Sequence, residues 1–185
     1  HDIRDYRLSD LRSLIGYVPQ DQFLFASSIL DNIRFGNPDF SIDKVEEATK
    51  LAQVYDDIKD MPEGFETIIG EKGVSLSGGQ KQRLAMSRAM ILNPEILILD
   101  DSLSAVDAKT EHAIIDNLKH TRKDKTTIIT AHRLSAVVHA DLILVMQDGR
   151  IIERGRHDDL LAQGGWYAKT YGSQQLEMEG GEAHA

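Results

Sequence analysis

Two short groups of residues have the types and spacing that phosphate and metal chemistry needs. The first is Ser77-Gly78-Gly79-Gln80, directly before a run of helix formers, and the second is Asp100-Asp101, directly after an apolar run. The glycines leave backbone N–H groups open to a ligand, and Ser77 suits a helix N-cap. A carboxylate can hold Mg²⁺ through water beside a phosphate. Taken singly, each group is also typical of a turn or a solvated loop.

The residues around these two groups predict the elements that position them. The segment after the glycines is rich in helix formers and stops before Pro94, so the glycines would lie at a helix N-terminus. Free N–H groups and the positive end of the helix dipole favour anions there. Residues 96–99 form a continuous apolar run, typical of a strand buried on both faces of a parallel sheet. Asp100 and Asp101 would then lie at the carboxyl end of that strand, where α/β folds place ligands.

The rest of the pattern predicts an α/β fold with a mainly parallel sheet. Pro19 ends a short strand over residues 14–18, and residues 126–130 are β-branched throughout, which predicts a buried strand. Asp148-Gly149 predicts a hairpin turn between two further strands. Helices are predicted over residues 45–54, 55–60, 108–118, 155–163 and 166–171.

Composition limits the class of protein. The net charge of −9 argues against a general nucleic-acid binder, whose affinity needs a basic face. The chain has no cysteine, so disulfides and thiolate metal sites are excluded. No apolar run approaches the roughly 20 residues that span a bilayer. The P-loop pattern G-x-x-x-x-G-K-[ST] is absent and the chain starts at His1, so we interpret it as a C-terminal fragment of a longer polypeptide.

In this order and spacing, Leu76-Ser77-Gly78-Gly79-Gln80 and the apolar run before Asp100 resemble the signature and Walker B segments of an ABC-transporter ATPase. The resemblance covers about residues 3–171 and implies a partial P-loop NTPase core plus an α-helical subdomain, with ATP and Mg²⁺ as ligands. It implies a Q-loop part of the RecA-like core at 1–29 and a helical subdomain at 30–92. The Walker B, D-loop and H-loop part of the core would be 93–172, and residues 173–185 a disordered tail.

The resemblance also implies a role for each candidate residue. Gln20 matches the Q-loop, which senses Mg²⁺ and the γ-phosphate, and His132 matches the H-loop switch histidine; from the residues alone, a loop glutamine and a structural histidine remain open. Asp100 would hold Mg²⁺ and Asp101 would act on the attacking water. Nucleotide contacts are implied for Ser77, Gly78, Gly79, Gln80, Asp100 and Asp107, catalytic roles for Asp101, His132 and Gln20, and metal binding for Gln20 and Asp100.

Two apolar or acidic stretches resemble surfaces that meet a membrane domain. Residues 23–25, Phe-Leu-Phe, follow the Q-loop phrase and would face the coupling helices of exporters; core packing is the alternative. Glu71 lies in a stretch that resembles the exporter X-loop and would face the same domain. The resemblance therefore implies two partners, a transmembrane domain of the same polypeptide and a second ABC ATPase subunit. It places the domain at the cytoplasmic face of a membrane and implies no nucleic-acid partner.

One position departs from the family pattern. Most ABC ATPases carry Glu directly after the Walker B aspartate, and here Asp101 is one methylene shorter. A general base must reach the proton it takes, and its contribution is typically about 10²–10⁴-fold. A weak base beside an intact signature predicts one half of a heterodimer, similar to heterodimeric bacterial multidrug exporters.

The expected fragment leads to three hypotheses. In the family the P-loop strand lies between the strands at 126–130 and 142–146. The absence of this strand predicts two unpaired strand edges, and it predicts that the fragment alone does not hydrolyse ATP. The leading hypothesis is the ATPase domain of an exporter of small molecules. A soluble ABC-class ATPase acting on DNA or ribosomes, and a non-catalytic module that only contributes the signature surface, are the alternatives.

Overall fold

The computed structural model describes residues 2–70 and 74–182. The chain forms two compact units, His1–Thr130 and Ala131–Ala185. This division does not coincide with the boundaries predicted at residues 29, 92 and 172, and those boundaries stay a prediction. Within the described ranges, no helix combines the length and the apolar composition that crossing a bilayer requires.

The first unit is built on a parallel three-stranded sheet. Its strands are β1 (Ile15–Val18), β2 (Ile96–Asp100) and β3 (Thr126–Thr130), with β2 in the middle. Tyr17 lies opposite Ile98 on β2, and Asp100 lies opposite Thr130 on β3. The predicted parallel sheet is confirmed, and the carboxyl ends of all three strands meet at one edge.

The two faces of this sheet are buried to different extents. Leu97 and Leu99 are fully buried, whereas Ile98 and Asp100 on the other face are half-buried. No residue of β3 is buried, and Ile128 is 46% exposed. The expectations of a central strand buried on both faces and of a buried strand at 126–130 were therefore wrong. Helix α5 (Gly78–Met90) covers only the first face, and the described residues of β3 pair with β2 alone.

Most of the other helices in this unit pack against α5 or against one another. Ser41 caps α3 by accepting the Lys44 N–H, as its position before a helical pattern predicts. Asn117 donates to the carbonyl oxygen of Leu51 at 3.0 Å and so ties the sixth helix to the third. The helices are α1 (Leu8–Ser13), α2 (Ile29–Ile33), α3 (Ile42–Leu51), α4 (Tyr55–Lys59), α5 and α6 (Ala108–Thr121), with 3₁₀ turns at Ile3–Asp5, Arg34–Gly36 and Gly64–Glu66.

The second unit is an antiparallel hairpin with two helices. It contains a 3₁₀ turn (Leu134–Ala136), β4 (Ile143–Gln147), β5 (Arg150–Gly155), α7 (His157–Gln163) and α8 (Trp166–Glu182). The predicted hairpin turn at Asp148-Gly149 is confirmed, because both residues have positive φ. Its core consists of Leu134, Ile143, Val145, Leu160 and Tyr167.

The last helix continues past the point where the sequence predicts a disordered tail. Helix α8 extends from Trp166 to Glu182, whereas disorder was expected from residue 173. Gln174 supplies a physical reason, because its side-chain amide donates to the carbonyl oxygen of His132 and accepts the N–H of Leu134, both at 2.9 Å. The start of α8 is also fixed, since the Glu153 carboxylate accepts the N–H groups of Trp166 and Tyr167.

Candidate functional site

Asp100 is the last residue of β2, and both of its carboxylate oxygens are held by hydroxyl groups. Thr130 on β3 donates to Oδ1 at 2.6 Å, and Tyr17 on β1 donates to Oδ2 at 3.0 Å. All three side chains lie on the less buried face, because Asp100 pairs with Thr130 and Tyr17 pairs with Ile98 two residues earlier. The carboxylate is thus fixed in one orientation by its two neighbouring strands.

These hydrogen bonds also set the ionisation of the carboxylate. The hydroxyl of Thr130, followed by that of Tyr17, lowers the pKa of Asp100 below its ordinary value because both donate to the charged form. The same contact raises the pKa of Tyr17, whose proton is held by Asp100. Asp100 is therefore an anion at neutral pH.

Asp101 is held through its backbone. Its φ of 44° lies in the left-handed region, which an aspartate adopts more readily than most residues. The Asp101 N–H donates to the carbonyl oxygen and to Oγ1 of Thr130, at 3.1 and 3.0 Å. On its other side, the Asp101 carbonyl oxygen accepts the hydroxyl of Ser104 at 2.9 Å. The backbone path that leaves the strand is therefore fixed at both ends of the residue.

Ser77 begins α5 with a complete capping box. Its hydroxyl accepts the N–H of Gln80 at 3.2 Å, and the Gln80 side-chain oxygen accepts the N–H of Ser77 at 3.0 Å. The predicted N-cap is confirmed. Gly78 and Gly79 are then the first two residues of the helix.

Helix α4 holds the start of α5 from one side. The Gln80 amide donates to Oδ1 of Asp57 at 2.9 Å, and the Arg83 guanidinium contacts Oδ2 of Asp57 at 2.8 Å. Arg83 also donates to the carbonyl oxygen of Gln53. Both members of the ion pair are largely shielded from solvent, so water screens the contact less than it does a surface pair.

The loop after β2 holds the start of α5 from the other side. A Cβ added at Gly79 would lie 2.8 Å from the carbonyl oxygen of Ala105, so only glycine permits this approach. Gln82, buried one turn further along α5, donates to Oγ of Ser104 at 3.0 Å and accepts the N–H of Ala105 at 2.9 Å. The loop that leaves β2 after the two aspartates is therefore packed against the start of α5.

Gln20 lies just beyond β1, at the edge where Asp100 ends β2. It is exposed, and its carbonyl oxygen accepts the side-chain amide of Gln22 at 2.6 Å. The metal-sensing role that the resemblance implies for the Gln20 side chain stays a prediction.

A groove of about 200 Å³ lies beside the Gln20 loop, between β1 and α5. Tyr17, Phe23, Arg88 and Leu92 line it, and Phe23 is 67% exposed. Arg88 fixes the loop, donating to the carbonyl oxygen of Phe23 at 2.9 Å and to that of Asn32 at 2.7 Å.

The other two candidates have different surroundings. Asp107 caps α6, accepting the N–H of Thr110 at 3.0 Å, and that hydrogen bond lowers its pKa. The capping function predicted for it is confirmed, and its nucleotide contact stays a prediction. His132 belongs to the second unit, where it is exposed and its carbonyl oxygen accepts the Gln174 amide. Glu71 lies outside the described residues.

The chemistry of the edge fits a magnesium nucleotide better than a protein-only metal cage. In the described ranges, no group of three or more His, Cys, Asp and Glu side chains could enclose a metal. Mg²⁺ is typically held by one or two carboxylates together with substrate phosphates and waters. Asp100 supplies one oriented anion, and each of its oxygens retains a lone pair for a metal-bound water.

Comparison with known proteins decides the family. The model of a family described as ABC transporter matches residues 1–104, more than half of the chain. The chain belongs to the ABC transporter family. The predicted family and α/β fold are thereby confirmed.

Similar proteins agree with this family assignment. A Bacillus subtilis protein described as the probable multidrug resistance ABC transporter ATP-binding/permease protein YheI is 57% identical over 174 residues, which are 94% of this chain and 30% of that protein. The Escherichia coli multidrug resistance-like ATP-binding protein MdlA is 49% identical over 96% of this chain and 30% of its own length. A bacterial Atm1-family ABC exporter solved with ATP bound superposes with a TM-score of 0.86 at 41% identity, covering 94% of this chain and 30% of that one. The chain spans about 30% of the length of these relatives.

In this ABC transporter chain, sequence reasoning found the aspartates and the signature glycines but missed the side chains that hold them. Tyr17 and Thr130 carry no motif, and their contact with Asp100 depends on the pairing register of three strands. Gln82 and Asp57 likewise reach their partners across 22 and 23 residues of sequence. The one available signal was that Tyr17 and Thr130 are polar residues at or next to the carboxyl ends of their strands.

Proposed function

We propose that these residues form part of the ATP-hydrolysing domain of an ABC exporter, which powers the export of small molecules across a membrane from its cytoplasmic face. The observation that carries the proposal is the ionised, doubly hydrogen-bonded Asp100 at the carboxyl end of β2, whose following loop packs against the glycine-led start of α5. Bound Mg²⁺ would neutralise the phosphate charge that develops during transfer. The multidrug descriptions of the relatives support the transport role.

The nucleotide contacts follow from the same geometry. Gly78 and Gly79 would offer N–H groups, and Ser77 and Gln80 would hold the positive end of the α5 dipole in place by their capping box, for the phosphate oxygens of the nucleotide bound by the second subunit. Asp100 would orient metal-bound water, Gln20 would approach from the neighbouring strand end, and His132 would contact the γ-phosphate. Asp107 would cap α6 and would also contact the nucleotide from the loop that follows Asp101.

Asp101 makes this subunit a weak hydrolase at its own site. Its backbone is fixed by Thr130 and Ser104, so the side chain cannot advance to replace the missing methylene of a glutamate. The partner would then be a second ABC ATPase subunit with a competent base, which receives the signature residues of this chain.

The substitution Asp101→Glu tests the weak-base proposal in the complete polypeptide assembled with its second subunit. With the partner's own catalytic base replaced, turnover of Mg-ATP at this subunit's site should rise at least several-fold, because the longer side chain brings the carboxylate closer to the water it activates. Asp101→Asn is the control and should not increase turnover. Equal turnover for the wild type and Asp101→Glu would contradict the weak-base argument.

The groove beside β1 would receive a segment of the membrane domain. Phe23 and Leu92 expose apolar surface there, and Arg88 holds the Phe23 backbone against α5. Movement of the docked segment would therefore be transmitted to both the Gln20 loop and α5, because Arg88 joins them.

Transport itself is tested by ATP-driven uptake of a fluorescent hydrophobic cation into inverted membrane vesicles that contain the complete protein. Phe23→Asp should abolish uptake, because a charge would interrupt the apolar surface, while Mg-ATP binding is retained. Ile42→Asp, at an exposed apolar position at the start of α3 that does not line the groove, is the matched control and should leave uptake intact. Uptake by Phe23→Asp equal to that of the wild type would overturn this docking role.

A further inference from the structure

The hydroxyl of Thr130 makes two hydrogen bonds whose directions are fixed by chemistry. The backbone N–H of Asp101 is a donor only, so Oγ1 of Thr130 must accept it, at 3.0 Å. The single proton of the hydroxyl is then free for Oδ1 of Asp100, at 2.6 Å. One side chain on β3 therefore determines the orientation of the Asp100 carboxylate and the backbone path of Asp101.

The pairing of β2 with β3 explains why Thr130 can bond to both Asp100 and Asp101. Thr130 is paired with Asp100 across β2 and β3, and it is the last residue of its strand. At that position its carbonyl oxygen also accepts the Asp101 N–H, at 3.1 Å. Asp101 keeps its left-handed φ of 44° between this contact and the Ser104 hydroxyl.

Tyr17 shares only one of these tasks. Its hydroxyl donates to Oδ2 of Asp100 from β1, at 3.0 Å, and the Asp101 bonds described above do not involve it. The two hydroxyls together occupy one lone pair on each oxygen of Asp100 and leave the remaining lone pairs free to accept further hydrogen bonds. Substitution of Tyr17 therefore affects only the orientation of Asp100, whereas substitution of Thr130 also affects the position of Asp101.

We propose that Thr130 is a positioning residue for the metal-nucleotide site, acting through the carboxylate of Asp100 and the backbone of Asp101, with Tyr17 as the second support of Asp100. The inference rests on the proposed function, because it assumes that Asp100 holds the water shell of Mg²⁺. Partners that orient a metal-binding carboxylate typically change metal affinity or activity about 10–100-fold when they are removed.

The test uses the complete polypeptide with its second subunit, with ATP and Mn²⁺ as the probe, and measures Mn²⁺ affinity by electron paramagnetic resonance under non-hydrolysing conditions. Thr130→Val keeps the shape and removes both hydroxyl bonds; it should weaken Mn²⁺ binding about 10-fold or more. Thr130→Ser keeps the hydroxyl and should stay within about 3-fold of the wild type. ATP affinity without metal should be the same in all three proteins.

A second variant keeps the inference testable if Thr130→Val does not fold. Tyr17→Phe removes only the donor to Oδ2 of Asp100, so it should weaken Mn²⁺ binding by a smaller factor than Thr130→Val does. Thr130→Val should also lose turnover because Asp101 is displaced, and Tyr17→Phe should not show this additional loss. Wild-type Mn²⁺ affinity in Thr130→Val, or in Tyr17→Phe where Thr130→Val is not folded, overturns the inference. Wild-type Mn²⁺ affinity in Asp100→Asn overturns instead the proposed role of Asp100, and the two failures are thereby distinguished.

Discussion

Gln82 on α5 accepts the backbone N–H of Ala105 at 2.9 Å, in the loop that follows β2. Its amide group also donates to Ser104, whose own hydroxyl donates to the carbonyl oxygen of Asp101. The helix that begins with the signature glycines is therefore joined by hydrogen bonds to the backbone of the residue proposed as the weak base.

Replacement of Gln82 by alanine should destabilise the first unit. The Gln82 side chain is only 4% exposed, so its loss removes two hydrogen bonds and leaves unfilled space at a buried position. The expected cost is about 1–3 kcal/mol in the free energy of unfolding. Urea unfolding measures it, and Lys81→Ala on the exposed side of the same helix is the control. A stability of Gln82→Ala equal to that of Lys81→Ala would show that these hydrogen bonds contribute nothing.

The two signature glycines should respond differently to a methyl group. In Gly79→Ala the new Cβ would lie 2.8 Å from the Ala105 carbonyl oxygen, whereas in Gly78→Ala it would lie 3.4 Å from the Ala105 Cβ. Displacement of the loop should cost Gly79→Ala about 1–3 kcal/mol of stability. Gly78→Ala should be neutral or slightly stabilising, because alanine loses less entropy on folding. Thermal unfolding compares the pair, and equal melting temperatures would refute the close approach.

Arg83→Lys should not preserve the contact between α5 and α4. The guanidinium reaches both oxygens of Asp57 and the carbonyl oxygen of Gln53, and an ammonium group lacks this planar fork. A loss of about 1–3 kcal/mol in the free energy of unfolding is expected. A double-mutant cycle with Asp57→Asn isolates the coupling. Strict additivity of the two substitutions would mean that the ion pair is energetically irrelevant.

Asp107 should make stability depend on pH in the acid range. Its pKa in the folded chain is lowered by the Thr110 N–H, so the stabilisation is present above the unfolded value of about 3.9 and is lost as the pH falls through the folded value. The melting-temperature difference between the wild type and Asp107→Ala should therefore narrow below pH 4. Asp107→Asn keeps a capping oxygen without a titrating charge, and its difference from Asp107→Ala should be constant over the same range.

The sequence predicted those parts of the site that depend on local chemistry. The Ser77 cap, the glycines of α5 and the carboxylates at the end of β2 follow from residue type and neighbouring periodicity. The contacts of Tyr17 and Thr130 with Asp100 depend on the register of β1, β2 and β3, which segments far apart in the sequence decide together.

Burial was harder to predict than secondary structure. Residues 96–99 form a continuous apolar run that suits burial on both faces, yet only the α5 side of β2 is fully covered. Residues 126–130 have the β-branched composition of an interior strand, yet β3 pairs only with β2 among the described residues. The end of α8 was missed for a similar reason, because Gln174 is fixed by the backbone around His132, 42 residues away.

The most direct test is the release of phosphate from Mg-ATP by the complete polypeptide, assembled in lipid nanodiscs with a second subunit whose own catalytic base has been replaced, so that the phosphate measured comes from this subunit's site. Wild-type protein should show magnesium-dependent turnover. Asp100→Asn, which removes the charge but keeps an oxygen that Thr130 and Tyr17 can reach, should reduce that turnover by about 10²-fold or more at this subunit's own site, where preorganised electrostatic stabilisation is lost. Turnover by Asp100→Asn at the wild-type rate and with the wild-type dependence on Mg²⁺ would contradict the assignment of this edge as a magnesium-nucleotide site.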